Sequence, residues 1–271
     1  VVKITLPHFH TPIHHFGYKG FMGHNPNIEI VQTLHDADFV WYHTVGDSHE
    51  VNEDLGRISN LNKRIIAIIT GDQAPNFIPY GYIFGTNCGF NIPYEYDRFI
   101  PYYLQGTYDL RRTQRISFRG HRQTWKNRHR MQVSGVQLTW IDWWKTDPSR
   151  RPQLMEGYVN ELKNSVFSLC PRGNGPSSMR LFESMLLGAI PVRLDDWTKS
   201  FGQELDFSPR FDLDTVNMND IVKYLQNMTE SEIKQRVEAM RDFVEKYLVI
   251  DARRGCEGTM GYSEWIREFV Q

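Results

Sequence analysis

Residues 166–194, VFSLCPRGNGPSSMRLFESMLLGAIPVRL, constrain the fold more than any other part of the chain. Val166 to Cys170 has the length and the β-branched and aromatic content of a buried strand, and Pro171, Gly173, Gly175 and Pro176 punctuate its end. The spacing then predicts a helix over Ser178 to Leu187 with Met179, Phe182 and Leu186 on one side. Gly188 closes that helix, and Ile190 to Leu194 reads as the next strand. Such a unit places its loop and helix start at the carboxyl edge of a parallel sheet, where open α/β folds bind ligands. Unpaired amides and the positive end of the helix dipole favour an anion there.

The same alternation runs through the rest of the chain. VVKITL, DFVWYHTV and KRIIAIIT read as strands, with NIEIVQTLHDA and EVNEDLGRISNLN as the helices between them. Alternation of this kind implies a parallel sheet covered by helices. Residues 71–106 then carry many Gly, Pro, Asn and Tyr, and a domain junction is expected near their end. The second half restarts with the strand RISFRG, a basic helix around TWKNRHRMQ, the segment VQLTWIDWW and a helix around LMEGYVNELKNS. Thr229 and Glu232 make a capping box for ESEIKQRVEAMRDFVEKYL. The expected architecture is α/β, with Rossmann-like domains over residues 1–110 and 111–271 facing each other across a cleft.

Composition narrows the function. With 271 residues, 40% hydrophobic and 13% aromatic, the chain can build one large core or two smaller ones. A net charge of −1 supplies no overall basic field, which argues against nucleic acid or an anionic membrane as partner. Cys88, Cys170 and Cys256 form no CxxC pair, against both a disulfide framework and a structural zinc site. No apolar run approaches the roughly 20 residues of a membrane span. VVKITLP reads as a strand rather than a signal peptide, so the expectation is a soluble protein of the producing or host cell's cytoplasm, or of the Golgi lumen if an anchor precedes it.

The motif extended to FSLCPRGNGPSSMRLFESMLLGAIPVRLDDW resembles the signature of exostosin-like glycosyltransferases. In that family a strand ending in Cys-Pro-Arg-Gly precedes Ser-x-Arg-Leu-x-Glu, a Gly-x-Ile-Pro-Val strand, and a nearby Asp and Trp. Upstream, ISFRGHR and DADFVWY are similar to two further strands of the family. The resemblance implies a GT-B fold, a nucleotide-sugar donor held mainly by the second domain, a glycan acceptor held mainly by the first, inversion at the anomeric carbon and no essential metal. It departs after DDW, where Thr198-Lys199-Ser200-Phe201 replaces the family's Leu-Pro-Phe. The short, cysteine-poor form is similar to soluble members encoded by large algal viruses, which implies a UDP-sugar donor, leaning to xylose, and an oligosaccharide or glycoprotein glycan acceptor. UDP-glucuronate, UDP-galactose and UDP-arabinose are the alternative donors.

A nucleotide-sugar donor needs charge for a diphosphate, an acceptor for ribose hydroxyls and a surface for the base. Arg180 and the helix-start residues Ser177 and Ser178 could converge on phosphate oxygens. Glu183, one turn on, could accept from the ribose, a role the resemblance supports; helix spacing alone would make it a surface i,i+3 ion pair with Arg180. Gly120 and Arg122 follow a strand end where a glycine permits close approach and an arginine can clamp a diphosphate. Arg128, Arg172 and Gly173 complete the expected donor set. The rival reading of RGHRQTWKNRHR, a nucleic-acid patch, suits a chain of near-neutral charge less well.

In the first half, His8, His10, His14, His15 and His24 lack the helical spacing or carboxylate partner of a metal site, and His14, His15 and Tyr18 are expected to line the acceptor subsite. Asp36-Ala37-Asp38 is formally a DxD, but it precedes a strand and reads as structural. The Asp195-Asp196 pair follows a strand and could touch the donor sugar, while the Asn227 sequon coincides with a helix cap. An inverting transfer also needs a base, and Asp72, after the strand in RIIAIITGDQAP, is the candidate, with Asp47 in HTVGD as the reserve. A non-catalytic glycan-binding module would not need the Arg180 and Glu183 site. A dinucleotide oxidoreductase would need the GxGxxG that neither KITLPHFHTP nor RISFRGHRQT supplies.

Overall fold

The computed structural model describes residues 2–5, 28–33, 35–44, 53, 64–69, 81–85, 90–91, 102–103, 105–106, 112–173, 178–196, 199–200 and 204–249. The chain divides into two compact units, Val1–Asp97 with Thr198–Glu204 and Glu245–Gln271, and Arg98–Trp197 with Leu205–Val244. The first junction thus falls before the expected 110/111 boundary, and two later segments return to the first unit. The early junction has a physical cause. Arg112 donates from Nη1 to the carbonyls of Leu162, Lys163 and Ser165 at 2.8–3.0 Å and from Nη2 to that of Leu187 at 3.2 Å. Lys163 lies 4.8 Å from the ring centre of Tyr102. Both contacts tie the segment before residue 114 to the second unit.

The first unit contains strands β1 (Val2–Thr5), β2 (Ile28–Ile30), β3 (Phe39–Thr44), β4 (Arg64–Ile69) and β5 (Gly81–Gly85), in the spatial order β2-β1-β3-β4-β5 and all parallel. β6 (Phe90–Asn91) pairs separately with β11 (Lys199–Ser200). The helix expected in NIEIVQTLHDA is instead the short strand β2 followed by turns. Its Ile-Glu-Ile core pairs with Val2–Ile4 in register, and tertiary pairing overrides the weak helical pattern. β5 was also unforeseen, since its two glycines and the surrounding turn residues hide a strand. The helix expected in EVNEDLGRISNLN is described only at Glu53, which is helical.

The second unit contains β7 (Gln114–Gly120), β8 (Gln137–Trp140), α1 (Arg151–Asn164), β9 (Ser165–Pro171), α2 (Arg180–Leu186), β10 (Ile190–Leu194), β12 (Arg210–Phe211), α3 (Met218–Asn227) and α4 (Glu230–Phe243). Its sheet, β12-β10-β9-β7-β8, is again all parallel. β9 and β10 read as near-continuous apolar runs because both faces are covered, leaving Phe167, Leu169, Ile190, Val192 and Leu194 fully buried. Gly188 sits at φ 77°, the left-handed turn that ends α2. Met179, expected on the same side as Phe182 and Leu186, is 46% exposed while those two are buried, and α2 begins one residue after it. The basic stretch forms a 3₁₀ turn, Lys126–Met131, rather than an α-helix. Glu232 and Thr229 close the expected capping box on α4.

Numbered by sequence within its own sheet, each unit has the order 2-1-3-4-5. That order places a topological switch point between the first and third strands, and ligands of open α/β sheets bind outside the carboxyl ends there. In the second unit the switch point lies between β7, which ends at Gly120, and β9, which ends at Pro171.

Candidate functional site

Phe118, two residues before the carboxyl end of β7, is fully buried and organises the cations of this edge. The Arg180 guanidinium lies 4.6 Å from its ring centre and that of Arg128 lies 5.6 Å away. A second ring, that of Tyr158 on α1, stands 4.9 Å from Arg180. Arg180 is thus held by two aromatic faces, and its Nη1 is buried with no hydrogen-bond partner among the described residues. Such an orphaned donor is costly unless something binds it. Gly120 leaves the space: a β-carbon there would stand 3.3 Å from Arg180 Nη2 and 2.9 Å from Phe118 Cζ.

Arg128 differs in its employment. Its Nη1 donates to the carbonyl of His121 at 2.9 Å, and its Nη2 to those of Arg172 at 3.0 Å and Pro171 at 3.5 Å. It therefore joins the segments following β7 and β9 across the switch point. Burial, then the neighbouring Arg180 charge, pushes the Arg128 guanidinium down to about 10. Two cations this close, one of them desolvated, make the edge strongly attractive to an anion.

Glu183, in the first turn of α2, is 6% exposed and accepts a hydrogen bond from the Tyr158 hydroxyl at Oε2. It is not the surface ion-pair partner that helix spacing alone suggested. Arg172 stacks over Trp125 at 4.0 Å, and the exposed Arg122 lies 5.9 Å from the ring centre of Trp140. Gly173 and Ser178 are half-buried beyond β9. Ser177 and the first-unit candidates His14, His15, Tyr18, Asp47 and Asp72 lie outside the described residues.

Asp195 follows β10 at φ 57°, a left-handed conformation uncommon for a residue with a side chain. Its Oδ2 accepts from Trp125 Nε1 at 2.8 Å and Asn127 Nδ2 at 3.0 Å, and its Oδ1 from the Leu213 amide at 2.7 Å. This carboxylate braces the Trp125 ring on which Arg172 rests. In the first unit the Asp38 carboxylate accepts from the Lys3 amide at 2.8 Å, and that of Asp36 from the Thr33 hydroxyl. Both aspartates of the formal DxD thus serve the turn into β3. Cys170 is buried, and burial raises its thiol to about 11, as suits a packing residue.

Sequence reasoning missed Phe118, Tyr158 and Trp125. Phe118 and Tyr158 follow the apolar pattern of a strand and a helix, and no local spacing links Tyr158 to Glu183.

Two α/β units, each built on a parallel sheet of order 2-1-3-4-5, fit the GT-B fold expected from the sequence. The chain belongs to the exostosin family: residues 35–216 match the exostosin GT47 domain. The "Probable glucuronoxylan glucuronosyltransferase F8H" of Arabidopsis thaliana is 38% identical over 72 residues, which cover 27% of this chain and 14% of that protein. The "Probable glucuronoxylan glucuronosyltransferase IRX7" of the same plant is 50% identical over 44 residues, 16% of this chain and 10% of that protein. These matches therefore span far less than two thirds of either relative. Among solved structures, an α1,3-fucosyltransferase aligns over 87% of this chain and 81% of its own with a TM-score of 0.45 at 14% identity. Another, with GDP-fucose, gives 0.43 at 13% over the same shares. No helix among the described residues is long and apolar enough to cross a membrane.

Proposed function

We propose that this chain transfers a sugar from a nucleotide-sugar donor, a UDP-sugar, to a hydroxyl of a glycan, with inversion and without an essential metal. The observation that carries the reading is Arg180, caged by Phe118 and Tyr158 at the switch point with a buried Nη1 that has no hydrogen-bond partner among the described residues. A diphosphate oxygen would supply the missing acceptor. As the acceptor hydroxyl attacks the anomeric carbon, the bond to the diphosphate breaks through a transition state of oxocarbenium character and negative charge grows on the leaving group. Arg180, with Arg128 behind it, would stabilise that charge in a desolvated setting where it counts most. The acceptor proton passes to a base, for which Asp72 is the candidate and Asp47 the reserve.

Two donor sugars come first on this reading. The likeness to soluble viral members favours xylose, whereas the names of the plant relatives favour glucuronate. The test is a panel of UDP-xylose, UDP-glucuronate, UDP-galactose, UDP-arabinose and GDP-fucose, scored for acceptor-dependent release of nucleoside diphosphate with and without EDTA. Release from one UDP-sugar in EDTA is expected. Release only on adding manganese would overturn metal independence, and binding of glycans without release from any donor would point to a non-catalytic module.

A further inference from the structure

We propose that Tyr158 is a positioning residue of the nucleotide site, fixing the Glu183 carboxylate so that it accepts from the ribose hydroxyls; this rests on the donor reading above. Tyr158 lies on α1, 25 residues before Glu183 and outside the sequence motif. Its hydroxyl donates to Glu183 Oε2, and its ring faces the Arg180 guanidinium. One side chain therefore touches both residues that the donor reading needs, the cation and the carboxylate. A glutamate has three rotatable side-chain bonds, and each fixed partner narrows the rotamers that its carboxylate can adopt. The phenol narrows them by binding at Oε2, and because Oε1 lies on the same planar group its direction is constrained as well. Burial raises the phenol well above its usual ionisation range, against the opposing Arg180 charge and with the Glu183 carboxylate acting in the same sense as burial, so Tyr158 remains a hydrogen-bond donor at neutral pH.

This role is separable from packing. Tyr158→Phe keeps the ring against Arg180 and removes only the hydroxyl, leaving Glu183 without that tether. The experiment measures the affinity of the whole protein for UDP and for 2′,3′-dideoxyuridine diphosphate by titration calorimetry, in the native form, in Tyr158→Phe, in Glu183→Gln and in the double variant. The native protein should bind UDP more tightly than the dideoxy ligand. Tyr158→Phe should weaken UDP about tenfold, the scale of one hydrogen bond to a charged group, and leave the dideoxy ligand unchanged. In the Glu183→Gln background the same change should add little. Equal weakening of both ligands, or no loss for UDP, would overturn the positioning role and return Tyr158 to packing. If the native protein binds UDP but does not discriminate the two ligands, the ribose role of Glu183 fails and the proposal with it. If the native protein binds neither, the donor reading itself has failed.

Discussion

Arg180 Nη2 lies 3.3 Å from the point that a β-carbon on Gly120 would occupy, so the guanidinium at the start of α2 packs closely over the bare end of β7. Gly120→Ala forces a methyl group into that contact. The added methyl would also stand 2.9 Å from Phe118 Cζ, and the ring is fully buried and has little room to yield. The expected cost is about 1–3 kcal/mol, the usual range for overpacking. Urea denaturation would measure it, and UDP affinity should fall as well because Arg180 is displaced. A variant with native stability and native affinity would show that the close approach is unimportant.

Arg180→Ala separates ligand binding from folding. The guanidinium gains ring contacts but carries a buried donor without a partner, next to a second cation, so its removal should change the unliganded melting temperature little. Saturating UDP should raise the melting temperature of the native protein by linkage and leave that of the variant where it was. Equal losses with and without ligand would make Arg180 a structural residue.

The capping box on α4 provides a pH signature away from the site. The Glu232 carboxylate accepts from the Thr229 amide and hydroxyl, each at 2.7 Å, and the amide hydrogen bond is the first cause holding it below its ordinary 4.5. A depressed carboxylate contributes stability that is complete above the unfolded value and is lost as pH falls through the folded one. The advantage of the native protein over Glu232→Gln should therefore be present at neutral pH and shrink below about pH 4.5. Thr229→Ala should cost about 1 kcal/mol at neutral pH. Chemical denaturation at two pH values checks both.

The parts of this fold that were legible in the sequence are those with a local cause. β9, α2 and β10 follow from an apolar run, a glycine in the left-handed region and a second apolar run, and the capping box follows from a four-residue pattern. β2 was not legible, because three residues become a strand only through register with β1. The site divides the same way. Arg180 and Glu183 were found from the motif and Gly120 from the strand end in FRGHR, but the rings that hold Arg180 come from β7 and α1, and only the folded sheet brings them together. Arg128 was identified, yet its three carbonyl partners give it a bracing task that basic composition cannot show.

The general base belongs to the first unit on the proposed reading, and two aspartates compete for it. Asp47 stands three residues beyond the last residue of β3, and Asp72 three beyond that of β4. The strands are adjacent and parallel, so their carboxyl ends lie on one edge. Only β3 borders the switch point of that sheet, which falls between it and β1, while β4 carries the longer apolar run that first singled out Asp72. Substitution by Asn keeps the shape of either side chain and removes the proton acceptor. If Asp72 is the base, Asp72→Asn should lower transfer by roughly 10²-fold or more, the ordinary scale of general-base catalysis, and Asp47→Asn should not. Binding of UDP, measured alongside, should survive in both, because the proposed donor contacts belong to the other unit. The reverse pattern of rates would give the role to Asp47 and show that the switch point outranks the strength of the preceding strand. Near-native transfer by both variants would move the proton to another group, with His14 and His15, which follow β1 in sequence, the next to be replaced.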